Sequence, residues 1–372
     1  MNVLSLFDGI SCGRIALERL GMKVDKYFAC EIDKFAIQVS QDNYPDIIQL
    51  GDVCDVKGSN LPEITLLIGG SPCQGFSFAG NQLAFDDPRS VLFFEYVRLL
   101  KECKPKYFLL ENVRMKQEFE DVISEYVGYA PHIINSSLLS AQNRTRLYWT
   151  NIPNIKQPKD KGVVLSDILE HDGIADIDAQ NGAEIKNSVA RRQETMVPVE
   201  PIPKPSNNGL IRFGEVADTK YDLAGRVYHQ SGKGPTIHTC QGGNREPKVA
   251  VKMLTERRTE EAKELVPRTE QKSNPLITNA SKDQLCIISK EAEEINWKEY
   301  TWRPLTPIEV ERLQTVPDNY TSCVSKTQRF KQLGNGWTVD VICHILKNTV
   351  NEPTPQKPNF QKQLDIFQTE TD

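Results

Sequence analysis

Cys73 stands between Pro72 and Gln74 in a glycine-rich stretch, residues 69–80, that reads Gly-Gly-Ser-Pro-Cys-Gln-Gly-Phe-Ser-Phe-Ala-Gly. A structural cysteine packs as a small hydrophobe inside an apolar run. A reactive one needs exposure and an electropositive neighbourhood that favours the thiolate. Two other stretches supply the partners such a thiolate would use. Glu111-Asn112-Val113 brings a carboxylic acid, and Gln142-Asn143-Arg144-Thr145-Arg146 brings two guanidinium groups. Alternate residues share a face if the segment is extended, so both arginines could bind an oxygen of a substrate base or its phosphate and favour the thiolate. A cysteine nucleophile beside a carboxylic acid suits addition to an electron-poor ring.

A second group of residues has the pattern of a ligand site. Phe7-Asp8-Gly9-Ile10-Ser11-Cys12-Gly13 puts glycines where a strand turns into a helix, a place where the backbone can approach a ligand and helix N–H groups can point at it. Its G-x-x-x-G spacing is not the G-x-G-x-x-G dinucleotide pattern. Glu31-Ile32 and Asp52-Val53 then place acids after the next two β-like runs. Acids at such strand ends accept hydrogen bonds from ribose hydroxyls. One nucleoside-shaped ligand spanning these strand ends accounts for all of them together.

The elements that must position these residues alternate. Residues 3–7, 27–31, 66–70, 107–111 and 132–137 are rich in branched and aromatic side chains and predict strands. Residues 12–20, 34–43 and 90–103 carry helical spacing. The alternation predicts an α/β fold with a doubly wound, mostly parallel sheet, whose ligands sit at the carboxyl ends of the strands. Cys73 and Glu111 then arrive on one edge. After Pro153 the texture becomes Pro-, Asn- and Gly-rich with weak periodicity. The expected organisation is a catalytic and cofactor-binding domain over residues 1–153, a smaller loop-rich inserted domain over 154–300, a return to the first domain over 301–350, and a Pro/Gln-rich flexible tail over 351–372. Thr306-Pro307 predicts a helix start, and residues 339–346 are apolar enough to rejoin the core.

A formal net charge of −5 taken alone argues against a nucleic-acid partner. The distribution argues otherwise: residues 186–252 hold 11 Lys+Arg against 6 Asp+Glu, a local balance of +5, whereas residues 1–70 hold 6 against 10, or −4. The nine cysteines form no Cys-x-x-Cys pair and the five histidines do not cluster near them, so no metal site is expected. A scattered set of odd count fits a reducing cytosol. Apolar runs are too short to span a bilayer, and no signal peptide is expected at the N-terminus.

In this order the motifs resemble those of the cytosine-C5 DNA methyltransferases, over residues 3 to about 150 and about 301 to 350. Phe7-Asp8-Gly9…Gly13 is similar to the family's S-adenosylmethionine loop. Gly70-Ser71-Pro72-Cys73-Gln74 is similar to its catalytic loop, with Ser71 where proline is commoner. Glu111-Asn112-Val113, Gln142-x-Arg144-x-Arg146, Arg303-Pro-Leu-Thr-Pro…Arg312-Leu-Gln and Leu333-Gly-Asn335-Gly-Trp337 match further motifs. Leu92-Phe-Phe-Glu95, Val324-Ser-Lys-Thr327 and residues 334–341 resemble the branch of the animal de novo enzymes, though the length suggests a stand-alone prokaryotic or phage relative.

The resemblance implies the sheet of the S-adenosylmethionine-dependent methyltransferases, with residues 154–300 as target-recognition region. It implies catalytic roles for Cys73 (addition at cytosine C6), Glu111 (holding or sharing a proton at N3), Arg144 and Arg146 (the base oxygen). Cofactor contacts would come from Phe7, Asp8, Gly9, Ile10, Gly13, Glu31, Ile32, Asp52, Val53, Pro72, Asn335 and Trp337, and DNA contacts from Gln74, Ser77, Arg226 and Arg245. The partner would be double-stranded DNA, its target cytosine flipped from the stack, with no metal, with a cognate restriction endonuclease as a second partner, and with the enzyme a cytoplasmic monomer. Two other readings stay open. A tRNA cytosine methyltransferase would carry a Cys-Phe-Thr triplet, absent here, and a shorter insert; an inactive DNA-binding homologue would lack Cys73, Glu111, Arg144 or the glycines Gly9 and Gly13, all present. In the tail, Gln363-Leu364-Asp365-Ile366-Phe367 resembles the Gln-Leu-x-Leu-Phe peptides that dock on the bacterial sliding clamp, the alternative being a chance pentapeptide.

Overall fold

Along β1 (Asn2–Leu6) side chains alternate between two cores: Val3 packs on one face of the sheet, Leu4 and Leu6 on the other. β4 (Leu66–Gly69) and β5 (Tyr107–Val113) repeat the pattern, with Leu66, Ile68, Tyr107 and Leu109 on the first face and Leu67, Phe108 and Leu110 on the second. Strands buried on both faces read as continuous apolar runs, as a parallel sheet under two helical layers requires. The computed structural model describes residues 1–71, 91–170, 196–198, 206, 209–216, 226–237, 239, 246–252, 257–258, 265–266 and 300–350.

The main sheet adds β2 (Lys26–Cys30), β3 (Ile48–Gly51), β6 (His132–Asn135) and β7 (Thr145–Thr150), in the order β3-β2-β1-β4-β5-β7-β6. β1 to β5 are parallel; β7 runs antiparallel to both its neighbours. The chain winds outward from β1 to β3, then crosses back to β4 on the other side of β1. The order thus reverses between β1 and β4, and in open α/β sheets ligands bind at the carboxyl ends of the strands at such a reversal.

α1 (Cys12–Arg19) and α2 (Lys34–Asn43) cover the first face, α3 (Val91–Cys103) and α4 (Gln117–Val127) the second. Asp33 caps α2 by accepting from Phe35 N and Ala36 N. The chain returns through α5 (Pro307–Leu313), α6 (Lys326–Asn335) and α7 (Val339–Leu346). α5 begins as predicted, with Pro307 in the first turn and a reciprocal capping box between Thr306 and Glu309. α7 buries Val339, Val341, Ile342, Ile345 and Leu346 in the first core and lies against α1. β6 stops at Asn135 rather than reaching residue 137, because the Asn135 side chain accepts from Ser137 N and turns the chain into a short 3₁₀ segment.

A second sheet, ordered β14-β11-β10-β9-β8, is built from β8 (Met196–Pro198), β9 (Arg212–Val216), β10 (Arg226–His229), β11 (Lys248–Lys252) and β14 (Tyr300–Pro304), with a separate pair β12 (Arg257–Arg258) and β13 (Leu265–Val266). Its small core is Phe213, Val216, Val227, Ala250 and Trp302. β14 carries this sheet past residue 300 to Pro304, directly before α5. Among the described residues no helix is long and apolar enough to cross a membrane.

Candidate active site

The loop after β1 holds Phe7 (φ 55°), Gly9 (φ 59°) and Ser11 (φ 60°) in the left-handed region. Only glycine adopts it without steric cost. Ser11 is held there by its hydroxyl, which donates to the Asp8 carboxylate and meets Ser40 Oγ at 2.6 Å. Asp8 also accepts from Tyr27 Oη at 2.8 Å. Burial outweighs these bonds and pushes the Asp8 pKa up to about 6. Gly9 N donates to Glu31 Oε2 at 2.8 Å, while Glu31 Oε1 accepts from Ile32 N and Asp33 N. The acid after β2 therefore locks the β1 loop to the neighbouring strand end.

Ile32, beside that acid, is 74% exposed, whereas Ile10 and Val53 are buried. Asp52, after β3, turns its carboxylate onto Cys54 N at 2.9 Å. At Gly13 a Cβ would stand 2.2 Å from Ile68 Cδ1 and 3.1 Å from Tyr27 Oη, so the missing side chain lets α1 lie close on the sheet. That packing is a reason for this glycine that its position in the motif did not suggest.

The second cluster lies where β4 and β5 end. Glu111 is nearly buried on β5, with Tyr148 of β7 as its cross-strand neighbour, and Arg146 stands opposite Val113. Arg146 Nε lies 3.0 Å from Glu111 Oε1, a charge contact without hydrogen-bond alignment. Trp337 Nε1 donates to Glu111 Oε2 at 3.0 Å. Gly70 lies against this pair: a Cβ there would be 2.8 Å from Glu111 Oε2 and 3.1 Å from Trp337 Nε1. Asn112 Nδ2 reaches Ser71 O and Ser71 Oγ, both at 3.3 Å, and so ties β5 to the start of the segment that leads to Cys73. Cys73 itself, with Pro72, Gln74, Ser77, Arg245 and residues 363–367, lies outside the described residues. Arg226 opens β10, and Asn335 is exposed at the end of α6.

The two arginines take different directions. Arg144 precedes β7 and is buried; it donates to Ile237 O at 3.2 Å, Gly334 O at 3.2 Å and Gly336 O at 3.0 Å. Burial, then the charge of Arg146, lowers its pKa to about 10. Around Arg144 the segment 141–144 is joined to residues 233–237. Asn143 N donates to Gly234 O, Gly234 N to Ala141 O, and Thr236 Oγ1 to Asn143 O. Buried Lys233 donates to Ser137 O, Ser140 O and Val163 O. The roles of Asn112, Gly70 and Lys233 were not read from the sequence; Asn112 and Gly70 left a signal inside their motifs, Lys233 none. Among the described residues no group of three or more His, Cys, Asp or Glu is placed to hold a metal.

The family model for the C-5 cytosine-specific DNA methylase matches residues 1–351. The chain belongs to this family. Among relatives of this methylase, the orphan methyltransferase M.SPRI of Bacillus phage SPR is 28% identical, over 94% of this chain and 98% of that one. The type II methyltransferase M1.ScrFI of Lactococcus lactis subsp. cremoris is 29% identical, over 92% of this chain and 76% of the relative. The solved structure of the Entamoeba histolytica methyltransferase EhMeth has a TM-score of 0.58 at 16% identity, over 95% of this chain and 99% of that one, a likeness of fold.

The methylase family uses S-adenosylmethionine, and the ends of β1 and β2 suit such a group: Ile32 offers open apolar surface at the end of β2, and the space beside Gly9 is clear for 4 Å around where a Cβ would stand. Gly70→Ala is expected to leave a folded methylase, since the far end of the Glu111 side chain can move and the Trp337 indole need give only a few tenths of an ångström. Displacing that carboxylate by about 1 Å should lower kcat roughly 10- to 100-fold, with KM for S-adenosylmethionine unchanged in steady-state methylation assays.

Proposed function

We propose that the chain is a DNA (cytosine-5-)-methyltransferase that attacks C6 of a flipped cytosine in a specific duplex sequence through Cys73. The observation that carries the reading is the Glu111 carboxylate fixed between Arg146 and Trp337, on the strand next to the one that leads to Cys73. Bound S-adenosylmethionine, held by the β1 loop, Glu31, Ile32 and Asp52, would supply an electrophilic methyl group. Cytosine C5 is a poor nucleophile while the ring stays aromatic. As the Cys73 sulfur bonds to C6, an electron pair moves into the ring, and Glu111 holds the proton at N3 that this charge requires. Arg146 meets the charge on the base oxygen. Arg144, whose bonds go to carbonyls, holds the wall that carries Trp337. After methylation, loss of the C5 proton and departure of the thiolate restore the ring.

The second sheet, with the basic region around it, is the proposed sequence reader, Arg226 and Arg245 being its proposed DNA contacts and Gln74 and Ser77 those of the catalytic loop. One relative is named an orphan and the other a type II methyltransferase. A cognate restriction endonuclease enters the proposal through the second name alone. Duplex DNA with 5-fluorocytosine at the target is expected to trap a covalent complex with the wild-type chain and none with Cys73→Ala; no complex with either would sink the addition scheme.

A further inference from the structure

Trp337 follows directly on the corner that ends α6. Three carbonyls of that corner are held from below: Arg144 donates to Gly334 O and Gly336 O, and Gln314 Nε2 donates to Leu333 O at 2.7 Å. Gln314 Oε1 accepts from Thr338 Oγ1 on the other side of the indole's backbone. The indole therefore has a fixed base, and its one polar atom points at Glu111 Oε2 rather than at water. Across the gap, Gly70 offers no side chain that could stand between them. Arg146 engages the other carboxylate oxygen, so the two oxygens are held from opposite ends.

A carboxylate hung on flexible torsions rotates freely unless both oxygens are anchored, and rotation would spoil its edge for a planar partner. Each carboxylate oxygen has two lone pairs. The Trp337 N–H takes one on Oε2, and Oε1 faces Arg146 without a hydrogen bond, so each oxygen keeps a lone pair for the ring nitrogen and exocyclic amine of a base. We propose that Trp337 is a positioning residue for catalysis, setting the plane of the Glu111 carboxyl through its indole N–H, in addition to any contact it makes with the cofactor. This inference rests on the proposed role of Glu111.

Trp337→Phe keeps the ring and removes the donor. Because a hydrogen bond to a charged group is among the stronger ones, kcat is expected to fall about 10- to 100-fold, with KM for S-adenosylmethionine within about 2-fold of wild type if binding is not what the N–H serves. In a Glu111→Gln background the same substitution should change kcat little, because the carboxyl that the indole positions is gone. Unchanged kcat with raised KM, or losses that simply multiply in the double variant, would overturn the inference. A wild-type chain that makes no 5-methylcytosine would instead overturn the proposed function, and a large drop in melting temperature of Trp337→Phe would show a structural role only.

Discussion

Glu111→Gln is expected to lower kcat by about 10³-fold, within the range general acid–base groups supply, while the chain stays folded and binds S-adenosylmethionine normally. The substitution keeps volume and shape but replaces one acceptor oxygen by an amide donor. Two donors converge on this side chain, Trp337 Nε1 at one oxygen and the Arg146 guanidinium at the other. A glutamine can satisfy one of them only; the other then faces an N–H group and must turn away. Arg146, largely buried, also loses its counter-charge, and Arg144 stands close enough for its own ionisation to respond to both. The loss should thus appear in the chemical step rather than in binding. Single-turnover methylation with labelled S-adenosylmethionine measures it directly. A rate within 10-fold of wild type would mean that this carboxyl holds no proton in the reaction.

The alternating strands and helices of the first half were legible because each strand is buried on two faces, which leaves a continuous apolar signal. Thr306-Pro307-x-Glu309 was legible for a different reason: a capping box is local chemistry, satisfied within one turn. What escaped depends on partners distant in sequence. The two arginines were expected to share a face, which holds only if the segment is extended throughout. β7 begins at Thr145, so Arg144 lies before it and turns to carbonyls of residues 237, 334 and 336. Trp337 and Glu111 are 226 residues apart, and no local pattern announces their bond. α4 was not predicted although Phe119, Ile123 and Val127 are spaced as a buried stripe; its acidic first turn and its Gly128 cap, at φ 80°, were the signals to weigh.

Glu309→Ala is expected to destabilise the protein by about 3–5 kcal/mol, the cost of breaking a buried ion pair by removing one partner. The Glu309 carboxylate is fully buried and accepts from Arg303 Nη1 at 2.7 Å, Arg303 Nη2 at 2.6 Å, Thr306 N at 2.8 Å and Glu170 N at 2.9 Å. Four donors use its whole accepting capacity. Alanine would leave the Arg303 guanidinium, itself only 3% exposed, without a counter-charge, and would strand two backbone N–H groups. The position matters as much as the energy. Arg303 belongs to β14 of the second sheet, Glu309 to α5 of the catalytic body, and Glu170 to the segment that leads into residues 171–195. One carboxylate thus fastens both β14 of the second sheet and the segment ending at Glu170 to α5, so its loss should loosen the second sheet along with the rest of the fold. Urea or thermal unfolding measures the loss, and a change below about 1 kcal/mol would show that this carboxylate contributes no more than a surface pair. The double variant Arg303→Met with Glu309→Leu removes the charge problem together with the bond, and it should recover most of the lost stability. Recovery without restored methylation would separate the two jobs, leaving the ion pair's geometry, rather than its energy, as what methylation requires.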